Sequence, residues 1–257
     1  MIYTMNLWDK DVYNNMNILY LFNHYITEYD MRSAGFSLIK EFKLLPEKDI
    51  EYLGKLKKHN RDIKIGCMQR DNKEFNENLV NCFKLAREKF ITENKLDEDS
   101  IISIKKDAIF AIEECKYTKF GDYIEFRPKH TYTSFCTLKP SNSSKVLQIF
   151  HSKDELSIKG ISDDNIPKHN DYMCKFINKY FTLMGESNRG DVLKFLRMFS
   201  DKYKSLELED DYYREFNDKS MFRLRSGELS DICLDKEDLD ISYNFVNILT
   251  KFVLITV

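Results

Sequence analysis

Glycine and proline are scarce in this chain, 8 and 4 among 257 residues. With abundant Lys, Asn, Ile, Phe and Tyr, that profile is what an AT-rich genome produces, and it assigns no function. No CxxC pair occurs among Cys67, Cys82, Cys115, Cys136, Cys174 and Cys233. Neither a zinc site nor a disulfide framework is therefore indicated, and reduced thiols in a cytoplasmic protein are expected. His24, His59, His130, His151 and His169 lack ligand spacing. No apolar run reaches about 18 residues, which excludes a membrane-spanning helix. The stretch 245–257 is apolar but broken by Asn247 and Lys251, and reads as a packed helix or strand. The first residues lack a basic segment followed by an apolar one, so no signal peptide is expected. No internal repeat or low-complexity tract is present. A net charge of −2 leaves no global basic field of the kind that nucleic-acid binders use.

What is present describes a folded chain. Hydrophobic residues make up 42% and aromatics 14%, enough to build a core and too many for a disordered polymer. The charge is also uneven. Residues 53–70 carry Lys55, Lys57, Lys58, Arg61, Lys64 and Arg70 against Asp62 alone, whereas 201–240 is acidic by comparison. A local basic stripe can bind phosphates on a chain that is slightly acidic as a whole. The same stripe also suits a solvated helix face.

Hydrophobic spacing predicts a helix over 10–26 (Val12, Met16, Ile18, Leu19, Phe22). Tyr25 to Tyr29 is β-prone and delivers Asp30 to a strand end. Ser33 or Ser37 is placed to cap a helix through about Phe42, and Pro46 and Glu47 begin another that runs to the basic stripe. From Leu79 to Ile91, the residues Leu79, Cys82, Phe83, Ala86 and Phe90 mark one apolar face, with Lys84, Arg87 and Glu88 outside. Residues 94–100 read as a polar loop. Ile101–Ile104 and Ala108–Ile112 read as a hairpin with Asp107 near its turn. Residues 116–129 and 131–138 read as two further strands, and 139–144 as a linker. Helical periodicity returns at 172–181 and 192–203, separated by 185–191.

Two aspartates stand out in this frame. Asp30 lies in Tyr29-Asp30-Met31-Arg32-Ser33-Ala34-Gly35-Phe36-Ser37-Leu38-Ile39, and Asp107 in Ile104-Lys105-Lys106-Asp107-Ala108-Ile109-Phe110. Two carboxylates presented on strand ends are the arrangement that two-metal phosphoryl transfer needs. Each alone also fits a plainer role, Asp30 as a cap or turn carboxylate and Asp107 as a hairpin turn residue.

The run from Asp30 to Ile39 resembles the first palm motif of B-family DNA polymerases, D-x-x-S-L-Y-P-S-I-I. Lys105 to Phe110 resembles their second catalytic motif, D-T-D-S-I-F. Arg127-Pro128-Lys129-His130-Thr131-Tyr132 is similar to the K-x-Y-type motif that follows. Ile158-Lys159-Gly160-Ile161 is similar to the turn that leads to the thumb. The resemblance covers about residues 27–170 and is stronger in order than in identity. It departs from the family at Lys105, which replaces the first aspartate of the second motif, and at Gly35, where the family has a tyrosine that screens against the ribose 2′-OH. The fingers motif K-x-x-x-N-S-x-Y-G is absent, and no proofreading exonuclease is expected upstream of Asp30.

The resemblance implies an α+β fold with a palm-like antiparallel sheet flanked by helices and a mostly helical, thumb-like C-terminal region. Residues 1–140 would form the palm with reduced fingers at about 45–100, and 145–257 the thumb-like part. It implies Mg²⁺ or Mn²⁺ at Asp30 and Asp107 as catalytic metal ligands. Ser33, Gly35, Arg61, Lys64 and Arg70 would meet a nucleoside triphosphate, and Lys129 and Tyr132 a primer strand. The function implied is that of a metal-dependent nucleotidyltransferase on a primer–template, tolerant of ribonucleotides, virus- or mobile-element-encoded and working in the host cytoplasm. The alternative is a palm-derived subunit without catalysis that binds nucleic acid or other replication and polymerase subunits. Neither requires a membrane.

Overall fold

The computed structural model describes residues 6–138, 146–159, 170–186, 189–205 and 207. Among them the chain is α+β, with antiparallel strands and six α-helices. Contacts divide it into two compact units. The first holds the residues up to Ile18 together with His24–Tyr132, and the second holds Leu19–Asn23 with the residues from Thr133 onward. The division thus falls inside a strand, at Tyr132/Thr133. The expected linker at 139–144, the 160–161 turn and the apolar stretch 245–257 lie outside the described residues.

In the first unit, β1 (Val12–Asn14) pairs with β3 (Ile101–Lys105), β3 with β4 (Ala108–Ala111), and β4 with β2 (Tyr20–Met31). The β3–β4 hairpin is the one expected from sequence. The helix expected over 10–26 is not formed: β1 and the start of β2 occupy that stretch. The cause lies at Asn15, whose buried side chain donates to the carbonyls of Glu98 and Ile101 and accepts from the N–H of Asn17. An asparagine that bonds backbone in this way competes with helical hydrogen bonding, and the segment is drawn to the sheet instead. The two strands expected after residue 116 are also different. A two-residue β5 (Lys119–Phe120) precedes one long strand, β6 (Ile124–Leu138), which runs through Pro128.

Helices cover this sheet. α1 (Ala34–Glu41) starts after Ser33, which holds a left-handed conformation and makes no side-chain capping bond. The helix expected from Pro46 to the basic stripe is α2 (Glu47–Lys55), and the rest of the stripe lies on a separate helix, α3 (Lys58–Asp71), because Leu56 and Lys57 are extended. α4 (Lys73–Glu93) is capped by Asn72, whose side chain accepts from the N–H of Phe75 at 3.0 Å. Its apolar face holds Leu79, Cys82, Phe83, Ala86 and Phe90, as the periodicity predicts, and extends to Phe75 and Ile91. Arg87 corrects that prediction. Expected outside, it is fully buried.

The turn before β6 is closed from α1. The Glu41 carboxylate accepts from the N–H groups of Asp122 and Tyr123 at 3.0 and 2.9 Å. Gly121 precedes them at φ +72°, and a Cβ there would fall 1.9 Å from Glu41 Oε1. Replacing Gly121 by Ala therefore adds left-handed strain and displaces the carboxylate that holds the turn. We expect a loss of about 1–3 kcal/mol of stability, read as a lower midpoint in urea unfolding. A midpoint equal to that of wild type would show that Glu41 moves aside without cost.

In the second unit, β6 from Thr133 pairs with β7 (Leu147–His151), and β7 with β8 (Leu156–Lys159). α5 (Asn170–Glu186) and α6 (Arg189–Lys204) pack together through Phe176, Phe195 and Phe199. Both helices match the periodicity read from sequence.

Candidate two-carboxylate site

β2 carries Asp30 one residue from its end, where it lies opposite Ala108 in the ladder with β4. Asp107 is in the two-residue turn that joins β3 to β4. The preceding Lys106 is left-handed, at φ +56°. The turn is tied back to β2 by a hydrogen bond from the Met31 N–H to the Asp107 carbonyl at 3.0 Å. Pairing of β2 with β4 thus brings together two aspartates 77 positions apart in sequence. Both line one cavity of about 370 Å³.

Charge in that cavity is balanced. Asp30, Asp107 and Asp62 face Lys58, Lys106 and Lys129, with Ser33, Gly35 and Gln69 completing the polar wall. Burial pushes the Asp107 carboxyl above its ordinary range, against a hydrogen bond from its own backbone. The charge of Asp30 adds to the rise, while Lys106 and Lys129 oppose it. Among the described residues Asp107 forms no ion pair within 4.0 Å.

The expected site residues divide into those that reach the cavity and those that do not. Ser33, Gly35 and Lys129 line it with the two aspartates. Gly35 lies in the first turn of α1, and a Cβ there would meet Ile65 of α3 at 3.5 Å, an ordinary contact. The Lys129 ammonium lies 3.6 Å from Glu28, which is almost fully buried. Tyr132 donates to the other oxygen of Glu28 at 3.1 Å. It is fully buried, so it does not present its side chain to a strand in the cleft. Its part is to hold Glu28, which holds Lys129.

The basic stripe divides in the same way. Arg61 stacks on Phe36, 4.5 Å from the ring centroid, and reaches Ser33 Oγ at 3.5 Å. Lys64 is exposed away from the cavity, and Arg70 pairs with Asp71 at 3.0 Å. Neither lines the cavity. The residues that do so from α3 are Lys58, Asp62, Ile65 and Gln69, one face at spacings of four, three and four. Sequence reasoning missed that face because it requires knowing that a new helix begins at Lys58. Lys106 was also missed, since a turn lysine carries no signal by itself. Lys105, at the position of the family's first aspartate, bonds the Asn14 side chain across the β1–β3 pair.

Among the described residues no group of three or more His, Cys, Asp or Glu side chains is arranged to hold a metal ion. A pair of carboxylates nonetheless fits Mg²⁺, which is commonly bound by one or two carboxylates together with substrate phosphates. The repulsion between Asp30 and Asp107 is what a divalent cation between them would relieve.

The sequence profile of the bacteriophage PBS1 gene 130 protein matches residues 3–254 of this chain. The chain belongs to that family. The gene 130 family is a bacteriophage one, in line with the expectation of a viral protein, and its description carries no activity. No curated protein matches the chain. Among the described residues of this gene 130 family member, no helix is long and apolar enough to cross a membrane.

Proposed function

We propose that this chain is a divalent-metal-dependent nucleotidyltransferase with a palm-like site, extending a primer on a nucleic-acid template. The observation that carries the reading is the convergence of Asp30 and Asp107 on one cavity from a strand end and a neighbouring hairpin turn. Mg²⁺ or Mn²⁺ would be held by these two carboxylates, and when bound would acidify the primer hydroxyl and stabilise the departing pyrophosphate. The chain's own cations do the remaining electrostatic work. Lys58 and Lys106 face the cavity and would neutralise the triphosphate. Lys129, fixed by buried Glu28, would meet a phosphate of the primer strand. Gly35 lines the cavity without a side chain, so nothing at that position rejects a ribose 2′-OH.

A second reading is favoured by one particular observation. With Lys105 bonded to Asn14, the first aspartate of the family's second motif has no carboxylate counterpart here, which suits a palm-derived subunit that binds nucleic acid or a polymerase without catalysis. Extension of a labelled primer by purified protein separates the two. We expect incorporation with Mg²⁺ or Mn²⁺, and use of matched ribo- and deoxyribonucleotides within about tenfold of each other in kcat/KM. Retained primer–template binding with no incorporation on any template, with either metal, would move the conclusion to the non-catalytic subunit. Preference for deoxyribonucleotides of about a thousandfold would refute the open sugar position alone.

A further inference from the structure

Among the described residues Arg87 is the largest fully buried side chain, on a helix face otherwise made of Leu, Ile, Phe, Cys and Ala. Removing a guanidinium from water is expensive, and such a group persists where every donor direction has a use. Here three directions do. Nε donates to the Trp8 carbonyl at 2.9 Å, Nη1 to the Lys106 carbonyl at 2.7 Å, and Nη2 to Asp11 Oδ1 at 2.9 Å. Asp11 also accepts from the Lys106 N–H through its own carbonyl at 2.6 Å. One helical turn earlier on α4, the Phe83 ring lies under the Lys106 ammonium at 5.3 Å. Both backbone polar groups of Lys106 and its side chain are thus held from outside the hairpin. Lys106 is the left-handed residue immediately before Asp107.

We propose that Arg87 is a positioning residue: with Asp11, it locks the 105–108 turn in the conformation that sets the Asp107 carboxylate beside Asp30. The inference rests on the two-carboxylate site proposed above, and adds to it a support reaching from α4 and the 8–11 segment. Without the lock, Lys106 loses the bonds that hold its left-handed backbone. The turn then relaxes, and the carboxylates no longer present a fixed pair of oxygens to a cation. Lysine cannot substitute, because one ammonium cannot reach three acceptors that match a planar fork.

Mn²⁺ binding to the full chain tests this, by calorimetric titration of wild type, Arg87→Lys and Asp11→Asn, with Asp30→Asn marking the site. Supporting partners of metal ligands typically matter on the order of 10- to 100-fold in affinity, and Arg87→Lys is expected to weaken Mn²⁺ binding by that factor. Hydrogen exchange at the Lys106 and Met31 amides should accelerate, with protection in the middle of α4 retained. A folded Arg87→Lys protein that binds Mn²⁺ as wild type does would overturn the lock. Should Arg87→Lys fail to fold, Asp11→Asn decides, since that side chain is 54% exposed. Unchanged affinity together with unchanged turn exchange in Asp11→Asn would equally overturn it. A different result, wild-type protein that binds no Mn²⁺ or binds it equally well as Asp30→Asn, would overturn the two-carboxylate site itself, and the lock with it.

Discussion

Asp107→Asn and Asp30→Asn are each expected to reduce metal-dependent nucleotide incorporation by at least about a thousandfold, on the order of 4 kcal/mol of transition-state stabilisation. An amide keeps the shape of the carboxylate and removes the charge. Either change halves the anionic charge of the Asp30–Asp107 pair proposed to hold the divalent ion. Stability should move the other way or not at all. Ionised Asp107 is disfavoured in the fold by burial and by the charge of Asp30, so a neutral side chain removes a cost rather than a support. The expected signature is lost activity with a melting temperature equal to or above that of wild type. It is read from a primer-extension series and thermal unfolding on the same preparations. Two variants as active as the parent would place any activity elsewhere in the molecule.

Phe90→Ala should produce the largest loss of stability, about 3–5 kcal/mol. The ring is fully buried in the first unit and meets Phe126 at 4.6 Å, Tyr29 at 5.3 Å and Phe120 at 6.3 Å between centroids. Those neighbours belong to three strands anchored by ladder hydrogen bonds, so they cannot all move inward to fill the space. Against a typical total of about 5–15 kcal/mol, such a loss unfolds a measurable fraction of the protein. Urea unfolding followed by circular dichroism measures it, and Phe90→Leu should recover more than half of the loss. A loss below about 1 kcal/mol for Phe90→Ala would mean that the aromatic cluster closes over the gap. Tyr29 immediately precedes Asp30, so the same cavity would loosen the strand that presents the carboxylate.

The elements legible in the sequence were those dictated by local pattern. The apolar stripe from Leu79 to Phe90 can be satisfied by a helix alone, and a helix forms. Ile101–Ile104 and Ala108–Ile112 are too short and too β-prone for anything but a hairpin, and the hairpin places Asp107 in its turn. Helical spacing misled over 10–26, because the stretch is held by partners 86 and 93 residues away: Asn15 bonds Ile101, and Val12 pairs with Lys105. Arg87 misled for a related reason. A lone arginine beside an apolar stripe reads as solvent-facing, and only the approach of two carbonyls and a carboxylate from distant segments makes its burial tolerable.

For the candidate site, sequence alone determined the two aspartates and the local elements that carry them, since a β-prone run ending at Asp30 and a turn at Asp107 are nearest-neighbour properties. Tertiary structure decided which other side chains accompany them. Of the basic stripe, Lys58 reaches the cavity while Lys64 and Arg70 do not, because the start of α3 at Lys58 sets which face of that helix looks inward. Tyr132 became a buried support and Lys129 a cavity cation, because successive odd and even positions of β6 meet different surroundings. Spacing along a chain determines which residues share a face of one element. Which faces meet depends on contacts between residues far apart in sequence, and here those contacts made the site.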